Sequence, residues 1–141
     1  MSTMHAEQMG ARPQETEGGR RIAGWIVTGL FAAMMIVSGA LFLSGKPEVA
    51  AMLRDLGYPD YFRSLLGVAK VLGALALLMP RPSILREWAY AGFTFDLLGA
   101  FASHALHGDA AAHLAPALIA LGLLVASYVL RRRAHSEGGG R

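Results

Sequence analysis

From Ile22 to Gly45 the chain carries no charged side chain, and this run is longer than the roughly 20 residues needed to cross about 30 Å of hydrocarbon. A segment of that kind has to be buried in lipid or in a very large core, and a chain of 141 residues offers no such core. The rest of the sequence repeats the pattern. Charges crowd into residues 1–21, 46–63, 81–87 and the last stretch from Arg131, with apolar runs between them. Only 16% of residues are charged while 54% are hydrophobic, against about 25% charged in an ordinary soluble domain. The fold class expected is all-α, a transmembrane four-helix bundle with spans at about 22–44, 61–79, 86–106 and 111–130.

The polar stretches between the spans have readable roles. Residues 1–19 and 134–141 lack apolar periodicity and are expected to be disordered tails around a membrane domain of residues 20–133. A signal peptide is the rival reading of the first span, but its apolar run exceeds the usual 7 to 15 or so residues. Between spans one and two, Pro47 and Glu48 open a short amphipathic helix with Val49, Met52, Leu53 and Leu56 on one face, and Gly57 stops it. This helix is expected to lie on the membrane surface. Tyr58, Tyr61 and Phe62 beside it, and Glu87, Trp88 and Tyr90 at the start of the third span, are expected at the interface, as is His104 at the far end. Pro80, Arg81 and Pro82 close the second span in a tight turn, and Ser83 is placed to cap the third.

Orientation follows from the basic residues. Arg12, Arg20, Arg21, Arg81, Arg86, Arg131, Arg132, Arg133 and Arg141 lie in the tails and the 81–87 turn, against Lys46, Arg54 and Arg63 on the other side. Both termini are therefore expected in the cytoplasm of a cell with the chain in its inner (plasma) membrane. The sequence pI of 9.7 reflects these flanking arginines, and nucleic acid is not an expected partner. The expected partners are the lipid bilayer and a membrane protein or a second copy of the chain. Gly29 with Ala32 and Ala33, or Ser38 with Gly39, offer small-residue faces for internal packing or for dimers.

Two ionisable residues, Lys70 and Asp96, fall deep inside the second and third spans, where a lone charge costs at least about 2.5–3.5 kcal/mol. They are equidistant in sequence from Ser83, so an antiparallel hairpin turning there sets them at equal depth as an ion pair. The same rule opposes Ala74 to Gly92 and Gly67 to Gly99, and small residues at Gly67, Gly73, Ala74, Gly92, Gly99 and Ala100 are expected to let the two helices approach closely. The pair either fixes the register of the two helices or contacts a ligand's polar head, such as a quinone carbonyl.

Other chemistry is restricted. The chain has no cysteine, which excludes disulfides and thiolate metal sites. His104, His107 and His113 cluster near one membrane face but match no metal-ligand spacing, facing histidines for haem are absent, and Ser103 beside His104 makes no triad. No catalytic residue, metal site or certain cofactor is assigned, quinone being the one cofactor the middle of the bundle invites.

The segments Tyr58–Phe62 (YPDYF), Leu66–Gly67, Lys70–Gly73 (KVLG), Leu77–Pro80 (LLMP), Glu87–Gly92 (EWAYAG), Asp96 and Ser103–His104 resemble the DoxX-like membrane proteins over roughly residues 22–130. The resemblance implies a four-helix membrane bundle. It implies a mixed set of roles, since some relatives are linked to quinone-reducing sulfur oxidation or oxidative-stress complexes and animal relatives to assembly of receptor channels. The expected function is a non-enzymatic accessory or assembly subunit, or a binder of a small apolar ligand. Alternatives are a quinone-linked redox component of a membrane oxidoreductase complex and a proton-coupled transporter, the latter needing a polar path to both surfaces.

Overall fold

The computed structural model describes residues 12–80 and 83–138, with side-chain surroundings for 18–80 and 83–134. Five helices follow one another: α1 (Arg12–Leu43), α2 (Pro47–Asp55), α3 (Asp60–Leu78), α4 (Ser83–His107) and α5 (Ala111–Gly138). Among the described residues there is no strand.

The helix ends are set by local chemistry. Pro47 begins α2, where its missing N–H has no partner to lose, with Glu48 in the first turn and Arg54 in the last, each complementing the helix dipole. At its end Gly57 takes φ +87°, its N–H donates to the Arg54 carbonyl, and the Tyr58 N–H donates to the Leu53 carbonyl, a Schellman motif. The end of α4 repeats the device: Gly108 takes φ +79°, donating to Ala105, and Asp109 donates to His104. At the end of α3, Met79 is extended, as a residue before proline prefers.

The long helices pack in a cycle, α1 against α3 and α5, and α4 against the same two, with α1 on α3 the most extensive contact. The core between them holds Phe31, Ala32, Met35, Ala74, Leu77, Phe93, Leu97, Ala120 and Leu124, with Phe31 and Phe93 edge to face at 5.1 Å between ring centres. Outside this core the surface is apolar: Leu106, Phe95 and Trp88 are 89%, 78% and 74% exposed. A soluble chain does not leave such faces to water. Three helices, α1, α3 and α5, are long and apolar enough to cross a membrane. α4 has the length, with 25 residues, but is not among the three.

Residues 12–19 and 134–138, placed by the sequence within the disordered tails, form the helical ends of α1 and α5. Polar sequence lengthens a helix that is already nucleated in the apolar part, because propagation adds a hydrogen bond for each residue fixed. Ser83 is the first residue of α4 itself, and the turn residues Arg81 and Pro82 lie outside the described residues, as do 1–11 and 139–141.

Candidate functional site

Lys70 sits mid-way along α3, only 6% exposed in a helix whose other buried residues are Gly67, Ala74 and Leu77. Its ammonium donates to Asp96 Oδ2 of α4, and the two side chains are 8% and 12% exposed. The Phe42 ring of α1 lies 5.7 Å from Lys70 Nζ, adding its electron-rich face to the cation's surroundings. Lys70 has three N–H donors and Asp96 takes one; the pair makes no further hydrogen bond among the described residues.

The small residues are used differently from expectation. Gly67 does not face Gly99 but backs onto α1, where a Cβ would lie 3.0 Å from the Gly39 carbonyl oxygen and 2.8 Å from Leu43 Cγ. Gly73 meets the Phe93 ring, which a Cβ would approach to 2.9 Å. Gly92 and Gly99 touch nothing within 4 Å of such an atom, so neither is a packing residue. The hairpin rule does not set rotation, and the extra space opens two cavities beside the ion pair.

The larger, about 440 Å³, is a cleft between α3 and α4 walled by Leu66, Ala69, Gly73, Trp88, Ala89, Gly92, Phe93 and Phe95, with Lys70 and Asp96 as its polar residues. The smaller, about 180 Å³, lies under α2 and is bounded by Phe42, Leu53, Leu56, Phe62, Gly99 and Ala100, with Tyr58, Ser103, His104, Lys70 and Asp96 as polar lining. The ion pair therefore stands where the two meet.

The residues expected at the interface divide. Tyr61, Glu87 and Trp88 are exposed. Tyr58, stacked on Phe62 at 4.7 Å, hydrogen-bonds Ser103 Oγ at 2.6 Å. His104 Nδ1 donates to Asp109 Oδ2 at 2.5 Å, which assigns the proton to Nδ1 because a carboxylate only accepts, and its ring stacks on His113 at 6.0 Å. That hydrogen bond holds the Asp109 carboxyl below its usual 3.8, against partial desolvation and with further help from charge on His107, His104 and His113. Among the described residues no three His, Asp or Glu side chains converge as a metal-ligand set.

Tyr90 turns into the bundle. It is 6% exposed, with its hydroxyl 2.8 Å from Ser127 of α5, which in turn lies 2.6 Å from Thr28 of α1. Thr28 spends its one proton on the Gly24 carbonyl at 2.7 Å, so Ser127 donates to Thr28 and Tyr90 donates to Ser127. Thr28 and Ser127 stand out in the sequence as polar residues within spans, but their meeting depends on how α1 lies on α5, which no short turn dictates. Near this chain Arg131 donates to the Leu77 carbonyl at 2.9 Å and lies over the Trp25 ring at 4.3 Å.

Among the described residues, an assembly of apolar helices with outward-facing hydrophobic surface and an ion pair inside defines a small all-helical membrane protein. The chain belongs to the DoxX-like family, whose model matches residues 26–127. No curated protein and no solved structure matches it.

Proposed function

We propose that the protein is a four-span, non-enzymatic ligand binder of the inner membrane, with both termini cytoplasmic. In this reading α4 is the fourth span, its Asp96 made tolerable in lipid by Lys70, and the ligand is a small amphipathic molecule held between α3 and α4. Its apolar body fills the 440 Å³ cleft, a volume within the usual range of about 300–1,000 Å³ for small-molecule sites. Its polar head takes the spare Lys70 N–H donors, a role that suits a ring carbonyl of the quinone type. The observation that carries the reading is that Lys70 and Asp96 line two cavities instead of being sealed into a packed helix contact. A pair that served only to fix register gains nothing from empty space beside it.

Native mass spectrometry of the protein released from lipid nanodiscs tests this, comparing the wild type with Lys70→Met. The expected result is a small-molecule adduct on the wild type that the variant lacks. Clean, unliganded masses for both would overturn the reading and leave an accessory or assembly role through protein partners.

A further inference from the structure

The two cavities beside Lys70 and Asp96 have different linings. The cleft between α3 and α4 is apolar apart from the pair itself. The cavity under α2 carries the Tyr58 and Ser103 hydroxyls and the His104 imidazole as well, and Asp96, Ser103 and His104 share one face of α4 at helical spacing. Gly99 and Ala100 lie between them, contributing almost no side chain, and a Cβ on Gly99 would meet nothing within 4 Å. A volume of about 180 Å³ exceeds the roughly 30 Å³ share of one water several-fold, and the polar groups along it supply the two to four or so partners a buried water needs.

We propose that this cavity is a one-sided aqueous vestibule through which the Lys70–Asp96 pair reaches the water, and hence the protons, of the compartment on the α2 face of the membrane. The spare Lys70 donors are then satisfied by water when no ligand head occupies them. The titratable groups around the path are Lys70 of α3, Asp96 and His104 of α4 and Tyr58 of the α2–α3 turn, with Asp109, His107 and His113 beyond them; α1 offers only the Phe42 ring. Towards the other face only the α3–α4 cleft continues, walled by apolar side chains apart from the pair itself, and the interior behind it is packed. Phe31, Ala74, Leu77 and Phe93 are at most 3% exposed, the Tyr90–Ser127–Thr28 chain donates each of its protons within itself or to Gly24, and Thr94 donates to the Tyr90 carbonyl at 2.8 Å. The vestibule extends the proposed ligand site, resting on that reading for its role but not for its geometry.

The absence of native cysteine makes single-cysteine labelling in proteoliposomes direct. Gly99→Cys and Ala100→Cys face the cavity, whereas Leu98→Cys, at a similar depth and 46% exposed, faces outward. Ser44→Cys and Ser83→Cys report the two membrane faces. A membrane-impermeant cationic methanethiosulfonate is expected to modify Gly99→Cys and Ala100→Cys only from the side that modifies Ser44→Cys, and to leave Leu98→Cys unmodified from either. Reactivity of the cavity cysteines as low as that of Leu98→Cys, or equal from both sides, overturns the proposal. In the unsubstituted protein, magnetisation transfer from bulk water to the Lys70 ammonium is expected by NMR, and its absence overturns the proposal equally. A missing ligand mass with intact labelling would sink the ligand reading alone, and the reverse result would sink only the vestibule.

Discussion

Gly39 and Gly67 meet across the α1–α3 contact so closely that a Cβ on Gly39 would stand 2.9 Å from the Gly67 carbonyl oxygen and 2.8 Å from Val71 Cγ2. Backbone oxygen cannot swing aside as a side-chain end can, so the two helices are held together by the lack of an atom. This contact lets α1 press the Phe42 region against Lys70, and it supports the site from behind.

The glycines should therefore separate sharply on substitution. Gly39→Ala is expected to cost about 1–3 kcal/mol, the usual penalty of overpacking. Gly92→Ala and Gly99→Ala, with open space around them, are expected to be neutral or to stabilise by up to about 1 kcal/mol through helix propensity. Unfolding of the purified variants in mixed micelles measures the difference, and equal destabilisation by Gly39→Ala and Gly99→Ala would refute it.

Deleting one member of the ion pair strands the other. Lys70→Met is expected to destabilise by about 3–5 kcal/mol at most, less where Asp96 takes up a proton, and the Lys70→Met/Asp96→Leu double variant to recover most of the loss. The same unfolding assay on the three proteins gives the coupling energy. Additive losses in the double variant would mean that the two charges do not act on each other.

Much of this arrangement is legible in the sequence because it is one-dimensional. The uncharged run from Ile22 to Gly45, the prolines at 47 and 80 and the glycines at 57 and 108 fix where helices run and stop, and the short turn near Ser83 sets Lys70 and Asp96 level. What sequence spacing lacks is rotation about the helix axis. Gly67 and Gly99 look equivalent in the pattern, yet one is pressed against α1 and the other opens onto a cavity. Tyr90 illustrates the same limit: an aromatic near a helix start reads as interfacial, and only the placement of Ser127 from a distant helix makes it a buried donor.

The direction of the Tyr90–Ser127–Thr28 chain gives an ordering. Tyr90→Phe removes the first donor and leaves Ser127 still bonded to Thr28, a loss expected near the roughly 0.6 kcal/mol average for hydrogen bonds between membrane helices. Ser127→Ala leaves the buried Tyr90 hydroxyl without its acceptor and should cost more, about 1–3 kcal/mol. Thermal unfolding followed by circular dichroism ranks them, and a larger loss for Tyr90→Phe would reverse the donor assignment.

Asp109 provides a pH-dependent test at the α4–α5 turn. The Gly108 Schellman motif brings Asp109 back onto the end of α4, and the His104 Nδ1–H then favours the ionised carboxylate. A carboxyl whose pKa is lower in the folded than in the unfolded chain adds stability that is present above the unfolded value and is lost as pH falls through the folded one. The Asp109 carboxyl carbon, followed by NMR with selectively labelled aspartate, is thus expected to titrate below the usual carboxylate range and to move up towards it in His104→Ala. The stability difference between wild type and Asp109→Asn should be present above the unfolded carboxyl's value and shrink as pH falls through the folded one. An unchanged midpoint in His104→Ala would show that the carboxylate is held by the turn and not by the imidazole.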